Sequence, residues 1–250
     1  MLGAGLHADR PNSDHDSDND TDNNNTDTDT DPDTDTDTGA APPTGSDGSA
    51  AVAVHRSSGQ LEVGFARCLL RHRRLGTQLE STHSAMADAA LLMGETLHRN
   101  GRLIFFGNSG GGVIAGLVAA SMQLRLSALA RTPPRAGGLV AFALDESAAS
   151  AGEESDGFAA ALRRTGRAGD CAVALSTSGD AANILAALRA ARAAGMVTVG
   201  LLGHDGGQAR AEVDVAVTVR ENDPMQVYEA QVFAGHTLCR QLEWALRPPA

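Results

Sequence analysis

The sequence contains no lysine, so all 20 of its basic residues are arginine. Without a lysine amine, the chain cannot form a Schiff base with a carbonyl substrate. The GK[ST] element of a P-loop is also missing, which excludes that class of phosphate-binding site. The sequence has no run of about eighteen apolar residues, and its first ten residues lack the apolar core of a signal peptide. We therefore expect no membrane span and no secretory signal.

Cysteine is scarce, with Cys68, Cys171 and Cys239 as the only three. These residues are far apart and odd in number, and the sequence has no CxxC motif or Cys/His cluster. The pattern is typical of buried, reduced thiols in a cytoplasmic protein. It predicts neither a disulfide framework nor a cysteine metal site.

The first 58 residues differ in kind from the rest of the chain. Residues 1–50 hold thirteen aspartates and one arginine, so the net charge of −11 belongs to this segment and the remainder is nearly neutral. Such a segment has too little apolar surface to offset its ordering entropy. We predict a disordered Asp/Thr-rich tail and linker over 1–58 and one folded domain over 59–250. The Asp-rich spacing at 14–25 lacks the glycine and glutamate of a calcium loop, so only weak cation association is expected.

The most informative stretch of the chain is Gly169–Met196. Its short apolar run at 172–175 predicts a buried strand, and the small residues Ser-Thr-Ser-Gly follow at 176–179. An Ala/Leu-rich helix is predicted to begin at Asp180. Free N–H groups at a helix N-terminus and adjacent hydroxyls favour a compact anion, so the stretch predicts a phosphate site. An ordinary strand–helix turn with Ser and Asp as caps is the alternative.

A second unit of the same kind lies earlier in the chain. A buried strand is predicted over 103–106, and the loop GNSGGG at 107–112 leads into a helix. The glycines would let the backbone approach a ligand closely. The loop lacks the GxGxxG order of a dinucleotide turn, which disfavours a nucleotide-binding Rossmann protein. Two such loops at the carboxyl ends of strands can converge at one edge of a parallel sheet.

Helices are predicted at both ends of the folded part. A first helix carries Leu61, Phe65 and Leu69 on one face, and a second spans about 83–99. Both precede any strand, so their apolar faces need a partner, such as a second subunit. The RHRRL run at 71–75 is interpreted as a solvated face, and no direct nucleic-acid binding is expected.

The last predicted helix, 224–246, begins with a proline that suits a first helical turn. It carries Glu229 and His236 seven residues apart, which is two turns, so both lie on one face. Such a pair could perform acid–base catalysis. A surface glutamate beside a core or interface histidine is the alternative. The remaining apolar runs predict strands over 139–144, 197–202 and 213–219 and a short helix over 158–164.

Over roughly residues 85–244 the sequence resembles the SIS domain, the sugar-phosphate isomerase module. The resemblance is carried by GRLIFFGNSGG at 101–111, by the last helix, and by GDCAVALSTSGDAANILAALRAARAAGMVTVGLLGHDGG at 169–207. Within that superfamily it is similar to the phosphoheptose isomerases and to the DnaA-associating initiation factor. The resemblance implies a three-layer α/β fold, with a five-stranded parallel sheet flanked by helices, and usually a homotetramer.

The resemblance also implies roles for particular residues. Ser176, Thr177 and Ser178 would hold the sugar phosphate, and the loop residues Asn108, Ser109, Gly110 and Gly111 would lie near the sugar. The implied reaction is an aldose–ketose isomerisation, for example of sedoheptulose 7-phosphate, by proton transfer between adjacent carbons. Many members use zinc.

The chain departs from the family at the catalytic positions. Leu117 and Ser121 stand where the isomerases have a metal-binding histidine and a carboxylate base, and Tyr228 replaces a glutamine ligand. Gly111 stands at a phosphate-contacting serine of the family, and only His236 matches, with Glu229 beside it. One histidine is not a zinc site, which needs three or four ligands.

Two hypotheses for the function follow. In the first, the chain is an isomerase in which His236 works with Glu229 or with another acid such as Asp156. In the second, it is a non-catalytic sugar-phosphate-binding protein with a regulatory partner, such as a replication initiator or a transcription factor. A phosphorylated sugar as ligand is common to both hypotheses.

Overall fold

A computed structural model of the chain describes residues 56–129, 140–144 and 157–247. The tail predicted over 1–58 falls outside this part up to residue 55. Asp156 and the loop that precedes it also lie outside the described residues. The predicted division at residue 58 therefore stays a prediction.

The core is a five-stranded, fully parallel sheet with the strand order β2-β1-β3-β4-β5. The strands are β1 (Arg102–Gly107), β2 (Val140–Ala143), β3 (Cys171–Ser176), β4 (Val197–Leu202) and β5 (Val215–Thr218). All six residues of β3 are buried. Short, nearly continuous apolar runs suit such strands, because helices cover both faces of a parallel sheet. The α/β fold with a five-stranded parallel sheet is thus confirmed.

The described part of the chain contains seven helices besides the sheet. They are α1 (Ser58–Glu80), α2 (His83–His98), α3 (Ser109–Leu129), α4 (Gly157–Thr165), α5 (Ala182–Ala193), α6 (Ala209–Glu212) and α7 (Pro224–Leu246). Helices α2, α3 and α7 pack on one face of the sheet, and α4, α5 and α6 pack on the other. This arrangement gives the three predicted layers.

Two elements coincide with their predicted bounds because their signals are local. Strand β4 spans the predicted apolar run, and α7 begins at the predicted Pro224. The carboxylate of Asp223 caps α7 by accepting a hydrogen bond from the Met225 N–H at 2.9 Å. The short helix α6, by contrast, was not predicted.

The helix after β3 begins later than predicted. Its first residue is Ala182, and its N-cap Ala181 makes no side-chain capping bond. Asp180, the predicted first residue, instead accepts a hydrogen bond from the backbone N–H of Gln208 at 2.9 Å. A tertiary contact therefore takes the carboxylate that the local pattern assigned to the cap.

The three cysteines do not share one environment, so the prediction that all are buried is wrong for Cys68. Cys171 and Cys239 are buried, whereas Cys68 is exposed on α1. Burial raises the pKa of the Cys171 thiol well above its ordinary value, and it raises the pKa of Cys239 to about 11. Because the thiolate is the reactive form, both buried thiols are inert at neutral pH.

Helix α3 is the one described helix that is long and apolar enough to cross a bilayer by length and composition. Seven of its residues, however, are buried against the sheet and α7. This packing is that of a core helix.

Helix α1 is attached to the domain by little apolar contact. Leu75 is its one buried residue, and it packs against Val219 and Ala230. Its predicted apolar face remains open, with Leu61, Phe65 and Leu69 between 49% and 66% exposed. The predicted face is therefore present, but the described part of the chain does not cover it.

Candidate functional site

The strand order of the sheet reverses between β1 and β3. Here one chain connection leaves toward β2 and the next leaves toward β4. At such a switch point the loops that follow the two strands separate and leave a crevice at the carboxyl end of the sheet. Gly107 of β1 is paired with Leu175 of β3, so the two predicted anion-binding loops begin side by side.

The loop after β1 contains a strained backbone. Ser109 has a φ of 48°, in the left-handed region that residues other than glycine seldom adopt. Its side chain is exposed at the first residue of α3, and Asn108 before it is half-buried. Strained residues of this kind cluster at functional sites, where the surroundings hold them in place.

Gly110 continues this loop and is packed by Tyr228 of α7. A Cβ atom at Gly110 would lie 2.6 Å from two ring atoms of Tyr228, closer than any stable contact. The ring therefore occupies the space that any other residue at position 110 would need. At Gly111 a Cβ would lie 3.2 Å from the Leu175 carbonyl oxygen, which leaves little room for the serine that the family has there.

The loop after β3 uses its three hydroxyl residues differently. The hydroxyl of Ser176 is buried and accepts a hydrogen bond from the Gly179 N–H at 2.9 Å. Ser178 is exposed, and its hydroxyl accepts from the Asp180 N–H at 3.2 Å. Thr177 lies between them and is half-buried. Ser176 thus shapes the turn, while Thr177 and Ser178 are accessible to a ligand.

Backbone donors are also available at this turn. In the described ranges 56–129, 140–144 and 157–247, no hydrogen bond uses the N–H groups of Thr177, Ser178 or Ala182. Ala182 is the first residue of α5, so its N–H lies at the positive end of the helix dipole. The turn therefore offers both hydroxyls and unpaired N–H groups to an anion.

The two loops are joined by Asn108 and Asn183, whose amides form a reciprocal pair. The Asn108 Nδ2 donates to Asn183 Oδ1 at 2.9 Å, and the Asn183 Nδ2 donates back to Asn108 Oδ1 at 2.8 Å. The sequence reasoning identified Asn108 but missed Asn183. The one polar side chain in the first turn of an Ala/Leu-rich helix was the available signal.

The loop after β4 closes one side of the β3 turn. A Cβ at Gly179 would lie 2.0 Å from the Gly206 carbonyl oxygen, and Gly179 itself has a φ of 77°. Asp205 in this loop accepts hydrogen bonds from His204 Nδ1 at 2.9 Å and from the Gly207 N–H at 3.0 Å. These bonds, led by the one from His204, hold the pKa of Asp205 below its ordinary value.

Helix α7 is fixed to the carboxyl end of the sheet by Gln231. This residue is buried, and its Nε2 donates to the Leu201 carbonyl at 2.9 Å and to the Ser176 carbonyl at 3.3 Å. The side chains of α7 near Gln231 are thereby held in a fixed relation to the loop after β3.

Beside these loops, helices α1, α3 and α7 line an open groove of about 720 Å³. Its lining residues are His72, Gly110, Val113, Ile114, Met225, Tyr228, Glu229, Val232, Phe233 and His236. A volume of this size suits a small metabolite. The groove brings together the predicted pair Glu229 and His236, and Gly110 connects it to the loop after β1. Residues 176–178 are not among its lining residues.

Glu229 has a direct partner that the sequence did not indicate. Its Oε2 lies 2.7 Å from Nδ1 of His72 on α1. The two residues are 157 positions apart in the chain, so no local pattern connects them. The predicted acid–base pair therefore has a third member in the groove.

The zinc site that the resemblance implies does not fit the residues that the structure describes. No group of three or more His, Cys, Asp or Glu residues that could hold a metal occurs among the described residues. Leu117, at the position of the family histidine, is apolar and 46% exposed. Tyr228, at the position of the glutamine ligand, packs its ring on Gly110. These residues offer no ligand set for zinc.

Comparisons with known proteins agree with the fold. The family model for the SIS domain matches residues 71–203. The phosphoheptose isomerase of Chlorobaculum parvum is 32% identical over 73% of this chain and 88% of its own length. That of Desulfovibrio desulfuricans is 34% identical over 70% of this chain and 86% of its own length. The solved phosphoheptose isomerase of Neisseria gonorrhoeae superposes with a TM-score of 0.64 at 26% identity, covering 74% of this chain and 99% of that one.

Proposed function

Because this chain belongs to the SIS domain family, we propose that it binds a phosphorylated sugar at the switch point between β1 and β3. It is a phosphoheptose isomerase-like SIS domain. The phosphate would lie at the turn after β3, and the carbon chain would lie in the groove beside Gly110. The relatives are named phosphoheptose isomerases, so a phosphorylated heptose is the first candidate ligand. Among heptose phosphates, sedoheptulose 7-phosphate is the one that the sequence resemblance implies.

The observation that carries the proposal is the set of donors at the turn after β3. The hydroxyls of Thr177 and Ser178 and the unpaired N–H of Ala182 lie at the start of α5. Several donors that converge at a helix N-terminus suit a phosphate better than a carboxylate, because a phosphate presents more oxygens from one compact group.

The position of the turn supports the same ligand. Asn108 and Asn183 hold the loop after β1 against the start of α5, so a sugar bound by its phosphate would extend past Asn108. The strained Ser109 and the adjacent Gly110 lead from there into the groove. The groove supplies the room that a chain of five to seven carbons requires.

Binding calorimetry with sedoheptulose 7-phosphate and with unphosphorylated sedoheptulose tests the proposal. We expect the phosphorylated sugar to bind and the unphosphorylated sugar to bind at least a hundredfold more weakly. Thr177→Val and Ser178→Ala should each weaken binding by about tenfold to a hundredfold, the effect of losing a hydrogen bond to a charged group.

Ser84→Ala, an exposed serine on α2, is the matched control and should bind as the wild type does. Ser176→Ala is a poorer test, because its hydroxyl holds the Gly179 N–H. Equal affinity for the two sugars would contradict the proposal. So would the absence of binding to any sugar phosphate of five to seven carbons.

A second candidate function, a non-catalytic binding protein with a regulatory partner, is favoured by one feature of α3. Val113, Leu117 and Ser121 follow each other at a spacing of four residues, so they share the face of α3 that starts at the groove. None of the three can act as a carboxylate base. Tight sugar-phosphate binding with no turnover of any such ligand would support this second function.

A further inference from the structure

We propose that His72 of α1, oriented by Glu229, is the proton-transferring base of the groove and that His236 is its acid partner. This inference rests on the proposed function, because it assumes a sugar phosphate in the groove. It adds a residue that neither the sequence motifs nor the family positions indicate.

The geometry of His72 carries the inference. Its Nδ1 lies 2.7 Å from Glu229 Oε2, and both side chains line the groove. An ionised carboxylate only accepts hydrogen bonds, so Nδ1 of His72 must carry the shared proton. The other ring nitrogen, Nε2, then holds a free electron pair in the neutral imidazole. A histidine oriented by a carboxylate in this way is a general base.

The side chain of Glu229 is itself positioned by a second hydrogen bond, on its other carboxylate oxygen. Its second oxygen, Oε1, is 3.4 Å from Nε2 of Gln226, a buried residue on the preceding turn of α7. Gln226 makes no other side-chain hydrogen bond within residues 56–129, 140–144 and 157–247, so its amide is available for this role. Gln226 and Glu229 are therefore positioning residues, and His72 is the group that would touch the substrate.

The composition of the groove limits the alternatives. Among its lining residues, only His72, Tyr228, Glu229 and His236 carry a group that ionises. Tyr228 packs its ring on Gly110, and Glu229 is occupied by His72. The face of α3 supplies no base, since Leu117 and Ser121 stand where the resemblance implies a metal-binding histidine and a carboxylate base. The two histidines therefore remain as the pair for proton transfer.

The reaction balances without a further reactant. Starting from the aldose, His72 removes the proton on C2, and the C–H electron pair forms the C1=C2 bond of an enediol. The carbonyl oxygen on C1 takes a proton from His236. His236 then accepts the proton of the C2 hydroxyl, the C2=O bond forms, and His72 returns its proton to C1. Both histidines end in their starting states, and the product is the ketose.

The test separates binding from chemistry in His72→Gln. We expect kcat for isomerisation to fall by 10²–10⁴-fold, the usual contribution of a general base, while the sugar-phosphate dissociation constant stays within about threefold. Incubation in D2O should place deuterium at C1 of the ketose with the wild type. His72→Gln should place none there. Glu229→Gln should lower kcat less than His72→Gln, because it leaves the imidazole in place.

Chemical rescue provides the readout that a structural role would not give. His72 lines the open groove, so free imidazole can enter its place in His72→Ala through that groove. We expect added imidazole to restore part of the lost kcat in His72→Ala and to leave the wild type unchanged. His98→Gln, an exposed histidine on α2 outside the groove, is the matched control and should keep full activity.

Three outcomes would overturn the inference. His72→Gln could turn over at the wild-type rate, imidazole could fail to restore His72→Ala, or the wild type could bind the sugar phosphate and exchange no deuterium. The last outcome leaves the proposed sugar-phosphate binding intact and supports the non-catalytic function. Failure of the wild type to bind the phosphorylated sugar would instead contradict the proposed function itself.

Discussion

Gly110 of the loop after β1 packs directly against the ring of Tyr228 on helix α7. The ring leaves no room for a side chain at position 110. Gly110 and Tyr228 therefore depend on each other, because a larger residue at position 110 would require the Tyr228 ring to move. The aromatic side chain thus takes a packing role at a position where the resemblance implies a metal ligand.

Replacing Gly110 by alanine should cost stability through this contact. Gly116→Ala, in the same helix with no neighbour near its Cβ position, should raise the free energy of unfolding by about 0.5–1 kcal/mol through helix propensity. Gly110→Ala should be about 1–3 kcal/mol less stable than Gly116→Ala, because the Tyr228 ring must move. Urea unfolding measures both.

A double-mutant cycle isolates the cause of this difference. In the Tyr228→Ala background, Gly110→Ala and Gly116→Ala should become equivalent within about 0.5 kcal/mol. If the difference between them persists without the ring, the contact with Tyr228 is not its source.

At the scale of elements, the amino-terminal ends of β1 and β3 are joined by a buried ion pair. Asp170 is almost fully buried, and it accepts hydrogen bonds from the Arg102 backbone N–H at 2.9 Å and from Arg102 Nε at 3.1 Å. It also accepts from the Arg167 N–H at 3.0 Å. The carboxylate thus fixes the two strands whose opposite ends carry the binding loops.

Asp170→Asn should therefore destabilise the fold without altering the site directly. Removing one partner of a buried pair leaves an unpaired charge, so we expect a loss of about 3–5 kcal/mol in the free energy of unfolding. Asp88→Asn, an exposed position on α2, should change it by less than about 0.5 kcal/mol. Chemical denaturation gives both values, and sugar-phosphate affinity should be unchanged in the folded fraction. A small effect for Asp170→Asn would show that the pair contributes little.

At the scale of the whole molecule, the residues that the structure describes leave the apolar face of α1 uncovered. Leu61, Phe65 and Leu69 are each about half exposed or more. Around the groove, Val113 and Met225 are exposed at 75% and 66%. The exposed apolar face of α1 is the kind of surface that marks an interaction site. We propose that a second copy of this chain covers it, as the sequence pattern of α1 indicated.

Light scattering coupled to size exclusion tests this oligomer. The wild type should have a mass of at least two chains, and the double variant Phe65→Glu/Leu69→Glu should be monomeric, because buried charges on α1 would oppose association. Leu91→Glu, an exposed leucine on α2, is the control and should keep the wild-type mass. A monomeric wild type would contradict the proposal.

Cys68 reports on the same surface by its reactivity. It is exposed on α1 in the single chain, while Cys171 and Cys239 are buried with raised pKa values. A maleimide should label Cys68 at least tenfold faster in the monomeric variant than in the wild type. Cys171 and Cys239 should stay unlabelled in both until the protein is denatured. Equal labelling rates at Cys68 would mean that no second copy covers α1.

Much of the fold could be predicted because its signals are local. A few neighbouring residues are enough to recognise the apolar run of β4 and the Asp223–Pro224 start of α7. The same holds for the two strand–loop–helix units. Parallel strands with helical crossovers follow from that alternation. The start of α5 could not be predicted in this way, because Asp180 is used by Gln208, which is 28 positions later.

The sequence by itself determined which residue types are available to the site: hydroxyls after β3, a glycine-rich loop after β1, and Glu229 and His236 on one face of α7. Only the tertiary structure decided how they are combined. In the folded chain the Ser176 hydroxyl shapes the turn, Asn108 pairs with Asn183, and His72 of α1 lies beside Glu229. The physical reason is that periodicity and capping act over a few residues, whereas a hydrogen bond between side chains forms wherever packing brings donor and acceptor together.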